Sequence, residues 1–375
     1  MPLRPIAGAL ILLAATAGLQ LAGAAEQAPA PRAETAVGAL APAGVARSWG
    51  EDSGGQLGNG VPLADEDSPV AVGGLTNVVQ LAGGDDFSLA LLSDGTVMSW
   101  GDDDLGQLGN GATTGDQPSP GAVSGLSAVK AVAAGGNHAL ALLSNGTVRA
   151  WGFDVSGQLG DGGANADQTS PVAVSGLSGV KAIAAGRQHS LALRSNGTVR
   201  SWGSDFNGRL GDGGANTNQP APVAVSGLSG VAAIAGGEAH SLALLSGGTV
   251  MSWGGDSSGQ LGNGATTGDQ ASPVDVEDLS GVLAVVAGGF HSLALLSDGT
   301  VMSWGSDGSG QLGNGATTGN QASPVAVEDL SGVAAIASGA IHSLALLSDG
   351  TVMSWGLDGS GQLGNGATTG NQASP

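Results

Sequence analysis

The sequence predicts an all-β propeller, and three observations carry that expectation. The seven tryptophans, Trp49, Trp100, Trp151, Trp202, Trp253, Trp304 and Trp355, stand 51 residues apart with no insertion or deletion. A fixed period near fifty residues marks a repeat architecture in which each unit needs its neighbours to bury an apolar face. Within each period lie four short apolar runs separated by Gly-rich turns, the pattern of an up-and-down four-stranded blade. Finally, 70 glycines without a Gly-X-Y period call for many tight turns.

Taken from the N-terminus, Arg4 precedes an apolar run from Ile6 to Leu21, and Ala22-Gly23-Ala24 fits a small-residue cleavage site. Residues 1–24 therefore read as a signal peptide, with retention as a membrane anchor as the alternative. Residues 25–44 are rich in Ala and Pro and read as a linker. The repeats occupy 45–375: a partial unit from Val45, then six units of 51 residues from Ser68.

The unit 272–322 shows the parts. Val274-Asp275-Val276 is a short strand closed by the turn Leu279-Ser280-Gly281, and Val282 to Ala287 is a second strand broken by Gly288-Gly289. His291 to Leu296 is the third and Thr300 to Trp304 the fourth, joined by Asp298-Gly299 as a type I′ hairpin turn. Apolar or small residues on both faces of the third strand suit a blade packed between two others. The tryptophans are expected to fill the wedges between blades.

The string Gly-Gly-x-His-Ser-Leu-Ala-Leu-x-Ser-Asp-Gly-Thr-Val-x-Ser-Trp-Gly, followed by Gly-Gln-Leu-Gly-Asn-Gly and Ser-Pro-Val, resembles the regulator of chromosome condensation repeat over 45–375. The resemblance, read together with the export signal as a secreted bacterial-type member, implies a seven-bladed propeller of four-stranded antiparallel blades. In that family the ring closes by pairing N- and C-terminal fragments in one blade. Here the chain stops at Ser374-Pro375, where earlier copies lead into a new strand. Either the last blade is incomplete in a fragment, which is the expectation, or six blades close with a spare strand. The nuclear member of the family promotes nucleotide exchange on a small GTPase and docks on chromatin. A secreted bacterial relative inhibits β-lactamases through one face.

Charge narrows these models. Ten Lys+Arg against 31 Asp+Glu give −21, which argues against nucleic acid and anionic membranes as partners. With the export signal, this makes exchange activity a poor fit and a secreted, periplasmic or cell-surface monomer the expectation. There is no cysteine, hence no disulfide or thiolate metal site.

No catalytic motif appears, so no catalytic residues and no cofactor are expected. His138, His189, His240, His291 and His342 recur one per repeat, with Phe87 in the sixth copy, and read as structural. Asp52, Asp103, Asp154, Asp205, Asp256, Asp307 and Asp358 read as carboxylates bonding their own loop's backbone. Calcium, in a structural or adhesive surface protein, is the alternative.

Variety among copies collects in two loops, expected on one rim. The loop between second and third strands carries Asp85, Asp86, Arg187, Glu238, Phe290 and Ile341; the loop after each Trp-Gly carries Asp102, Asp104, Phe153, Val155, Phe206 and Leu357. Apolar side chains ringed by charge fit a protein-binding patch. The expected function is a non-catalytic module that binds a protein partner through this rim, with Phe153, Val155, Phe206, Phe290, Ile341 and Leu357 as anchors and the charged residues steering.

Overall fold

Each repeat alternates six-residue runs of Val, Ala and Leu with Gly-containing turns too short for anything but antiparallel return, so the chain folds into stacked small sheets. The computed structural model describes residues 10–12 and 46–375, apart from 62, 63, 164, 267, 318 and 369. The proposed signal peptide and linker lie outside the described residues except for Leu10–Leu12, a short strand antiparallel to Arg47–Gly50. Among the described residues no helix is long and apolar enough to cross a membrane.

Blade one runs outward from Val78–Gly83 through Phe87–Leu92 and Val97–Gly101 to Gln117–Ala122. The next four blades repeat this order from inner strands Val129–Ala134, Val180–Ala185, Val231–Gly236 and Val282–Ala287. The sixth has Val333–Ser338, His342–Leu347 and Val352–Gly356, with one bridge from Gly356 to Gln372 in place of an outer strand.

The expected seven-bladed ring is therefore corrected to six blades. Each complete blade is built from a Val-rich inner strand and the apolar strand that follows it, inside the tryptophan strand. Ahead of Val78 the repeat itself supplies only Arg47–Gly50 and Glu66–Ala71 among the described residues. These spare strands sit between the last blade and the first. Trp49 Nε1 donates to the Gln362 carbonyl at 3.0 Å, and Ser88 Oγ and Trp100 Nε1 donate to the Gln56 carbonyl at 2.9 and 2.8 Å.

Two local expectations also change. The Ser-Pro strand does not begin a blade; Gln270–Asp275 pairs with Val250–Gly254 and closes the blade before it. The Asp-Gly turns are not type I′. Gly95 alone has positive φ (+83°), and its N–H bonds the Leu92 carbonyl while the Leu92 N–H bonds that of Thr96. That is a type I turn closed by a left-handed glycine, with Asp94 accepting from the Thr96 N–H at 2.9 Å.

The wedges are packed as expected. Trp202 lies with Leu140, Leu142, Val148 and Leu159 of blade two and Ile183 and Ala192 of blade three. Its Nε1 donates to the Gln158 carbonyl at 2.9 Å, and the same bond recurs at every tryptophan.

The histidines form a second inter-blade series. Nε2 of His138, His189, His240 and His291 meets Ser190, Ser241, Ser292 and Ser343 of the next blade at 2.8–2.9 Å. Each serine hydroxyl donates onward to a backbone carbonyl, so Nε2 carries a proton, and burial lowers the pKa of each ring and keeps it neutral at pH 7. Blade one departs as a pair: Phe87 replaces the histidine, and Ala139 of blade two, in the same cluster, replaces the serine. A glycine precedes each ring because a Cβ on Gly135 would come within 2.2 Å of His138 Cε1.

Candidate functional site

Because the inner strand and the tryptophan strand run the same way, both variable loops leave each blade at one end, and all twelve candidate residues share that loop face. The Trp-Gly loop is held by its aspartate. Oδ1 accepts the N–H of the leucine five residues on, from Leu57 to Leu363, at 2.8–3.1 Å. The self-bonding reading of these aspartates thus stands, over a wider loop than an Asx-turn. Burial raises the pKa of Asp52, Asp154 and Asp256 to about 6, against the lowering effect of that bond. No group of three or more His, Asp or Glu that could hold a metal occurs among the described residues.

The channel mouth is built from the first loop set. Backbone N–H groups of Asp85, Gly136, Arg187, Glu238 and Gly289 each donate to a carbonyl of the following blade at 2.9–3.2 Å, tying the loops into an arc. Above the arc Arg187 reaches Asp85 at 3.2 Å, two blades away, and Glu238 at 2.5 Å. It passes over Gly136, where a Cβ would stand 2.9 Å from its Cγ. These residues line a cavity of about 180 Å³. Burial pulls the Arg187 pKa down, but the two carboxylates more than offset this and hold it above the usual arginine value. Burial raises Asp85, with Arg187 opposing.

The structure brings Asp85, Arg187 and Glu238 together and separates the remaining candidates by exposure. Phe206 and Val155 are 67% and 61% exposed in equivalent positions of adjacent blades, and Phe290 is 37% exposed. Phe153, Ile341 and Leu357 are half-buried. The Phe153 N–H bonds the Asn137 carbonyl and that of Leu357 bonds Ile341. Asp102 accepts from the Asp104 N–H and from Gln107 Nε2, and Asp86 accepts from Gln56 Nε2. Asp102 therefore braces its own loop, its pKa raised by burial, and only Asp104 stands fully out.

One further residue shapes this face. Six loops carry Gln before the conserved leucine, and its Oε1 accepts the N–H two residues back at 2.7–3.0 Å. The third blade has Arg209, which offers no acceptor. Its Nε instead donates to the Phe206 carbonyl at 2.7 Å and Nη1 to the Glu238 carbonyl at 3.0 Å. The peptide between Phe206 and Asn207 is turned to present oxygen, and Asn207 has φ +65°. The guanidinium lies 5.6 Å from the Phe206 ring centre, close enough for a cation–π contact. The signal was visible as the single Arg among seven copies. Arg209→Gln is expected to turn the peptide back, read as a negative Asn207 φ by NMR couplings.

Comparison with known proteins agrees with this geometry. A family model described as the RCC1-like domain matches residues 40–375. The E3 ubiquitin-protein ligase HERC2 of Mus musculus is 39% identical over 309 residues, 79% of this chain but 6% of that protein. The ultraviolet-B receptor UVR8 of Arabidopsis thaliana is 34% identical over 332 residues, covering 85% of this chain and 74% of the receptor. Among solved structures, Prp20p from Saccharomyces cerevisiae, described with its binding to Gsp1p and histones, superposes with a TM-score of 0.78 at 26% identity, covering 88% of this chain and 84% of that one. Yeast RCC1 (Prp20) bound to Kap60 gives 0.80 at 25% identity, covering 96% and 90%. Repeat, blade order and matched model together place this chain in the RCC1-like domain family.

Proposed function

We propose that the loop face binds a protein partner without catalysis, and that the chain does so after export. The observation that carries this is the adjacent exposure of Val155 and Phe206, large apolar side chains held outward on two rigid loops. Burying both against a partner would contribute roughly 1.5–3 kcal/mol for each side chain. Asp104 beside them and the Asp85–Arg187–Glu238 bridge at the centre supply polar complementarity. The relatives above come from an animal, a plant and yeast; the export reading rests on the apolar run from Ile6 to Leu21.

The test is affinity capture from the source organism's extracellular fraction with wild-type protein and with Val155→Ser/Phe206→Ala. Capture is expected to fall at least tenfold while the melting temperature stays within about 1 °C, since surface changes away from caps and cores cost little. Undiminished capture by the double variant would refute the rim assignment.

A further inference from the structure

The tight turns joining each blade's second strand to its tryptophan strand lie at the end of the ring opposite the loop face. Two neighbouring tips differ from the rest. Blades two and three carry Asn145-Gly146-Thr147 and Asn196-Gly197-Thr198. Blades one, five and six have Asp94, Asp298 and Asp349 in place of the asparagine, and blade four has Gly247. No other asparagine of the chain is followed, after one residue that is not proline, by Ser or Thr, the acceptor pattern of N-glycosylation.

The turn itself does not call for an amide. Asp298 Oδ1 accepts the N–H and the hydroxyl of Thr300 at 3.0 and 2.6 Å, and Asp94 Oδ1 accepts the Thr96 N–H at 2.9 Å. Bonds from the threonine hold both carboxyls below their ordinary pKa. Asn145 makes the same two bonds with Thr147 at 3.0 and 2.7 Å, and Asn196 with Thr198 at 3.2 and 2.7 Å. Charge does not call for an amide either. Arg149 stands four residues after Asn145, and Arg194 and Arg200 flank Asn196, so a carboxylate would gain at both tips. What asparagine adds is the amide nitrogen. Both asparagines are exposed, and the Nδ2 of neither donates a hydrogen bond among the described residues. Asn110 and Asn365, by contrast, spend theirs on Asp103 and Asp358. The backbone beneath is fixed, since the Gly146 and Gly197 carbonyls accept the N–H of Val180 and Val231 in the next blade at 3.1 and 3.2 Å.

We infer that Asn145 and Asn196 are modification sites that carry N-linked oligosaccharide, added on the export route; the inference rests on the export reading above. The donor class is a lipid-linked diphosphate oligosaccharide. Nδ2 forms the new bond to the anomeric carbon, the bond from that carbon to the diphosphate oxygen breaks, and the lipid diphosphate leaves with the electron pair. The amide proton passes to a base of the transferase. Carbohydrate on the two tips covers the hairpin end of blades two and three and leaves the loop face clear for a partner. The competing fate of an Asn-Gly pair is deamidation, in which the glycine nitrogen attacks the asparagine side chain. Here the Gly146 and Gly197 N–H groups are held by the Leu143 and Arg194 carbonyls, each at 2.9 Å, which opposes that attack in the folded chain.

The experiment is mass spectrometry on the chain purified from the source organism's extracellular fraction. Trypsin isolates the two sites on the peptides 131–149 and 195–200. Both peptides are expected to carry carbohydrate mass. Thr147→Ala keeps Asn145 but breaks the acceptor pattern, and should strip the carbohydrate from the first peptide alone. Asn145→Asp/Asn196→Asp should lose it from both and still fold, because three other blades already hold Asp at this place. Exported chain with both peptides at their unmodified mass, or with the asparagines merely deamidated, would overturn the inference and leave the export reading standing. A chain confined to the cell would sink the export reading and this inference with it.

Discussion

Lowering the pH from 7 to 5 is expected to destabilise the fold, seen as a fall in the melting temperature. Burial holds His138, His240 and His291 at a pKa of about 3 and His342 at about 4, and lowers His189 well below its ordinary value. His138, His240, His291 and His342 are neutral in the folded chain at pH 5, whereas the unfolded chain protonates them below 6.5; His189 is shifted in the same direction. Stability is therefore full above 6.5 and is lost as pH falls, at about 2 kcal/mol per histidine by pH 5. Asp52, Asp154 and Asp256 act in the opposite sense. With pKa values of about 6 they bind protons more readily folded than unfolded, so acidification favours the fold. Their gain by pH 5 is about 1.4 kcal/mol each, so among these seven groups the four histidines win, roughly 8 against 4. His189 adds to the histidine side, and Asp85, Asp102, Asp205, Asp307 and Asp358, also raised by burial, to the other.

Blade one supplies the control. Phe87 and Ala139 occupy the places that His240 and Ser292 hold three blades on, so His240→Phe/Ser292→Ala copies a pair the fold already uses. With the His240 pKa held at about 3 by burial, the variant should fold at pH 7 and lose about 1.4 kcal/mol per pH unit of slope between 6 and 5. An unchanged slope by urea unfolding at the two pH values would show that His240 does not set it. Replacing the histidine alone should cost more, because Ser292 would lose its partner in a dry wedge.

That pairing was half legible. The Phe87 exception marked the position as tolerant of a plain ring, but the matching Ala139 acquires meaning only when the strands are side by side. Strand identity, turn positions and the shared face of the two loop sets could be read from period and alternation alone. Blade membership could not. Glu66–Ala71 and its counterparts are separated from their true partners by the long Trp-Gly loop, so nearest-neighbour grouping assigned them to the wrong sheet. The number of blades failed for the same reason, since counting tryptophans gives seven while only six are preceded by a complete inner pair. On the loop face, composition found the exposed Val155 and Phe206. It could not show that Asp85 is engaged by Arg187, or that Asp102 is spent on its own loop.

The wedge itself gives the second large effect. Trp202→Ala is expected to cost about 3–5 kcal/mol, the usual range for deleting a fully buried large aromatic. Gly160 is its counterpart in the adjoining loop, with φ +67° and a would-be Cβ only 2.5 Å from Trp202 Nε1. Gly160→Ala should therefore destabilise on two grounds, about 1–3 kcal/mol from overpacking the indole and about 1 from the left-handed backbone. Only the second survives when the indole is gone. The double variant should thus be more stable than the sum of its parts by roughly the overpacking term, a coupling that urea unfolding resolves. Strict additivity would mean that the loop carrying Gln158 moves independently of the tryptophan it receives, and that the wedge is not the unit joining one blade to the next.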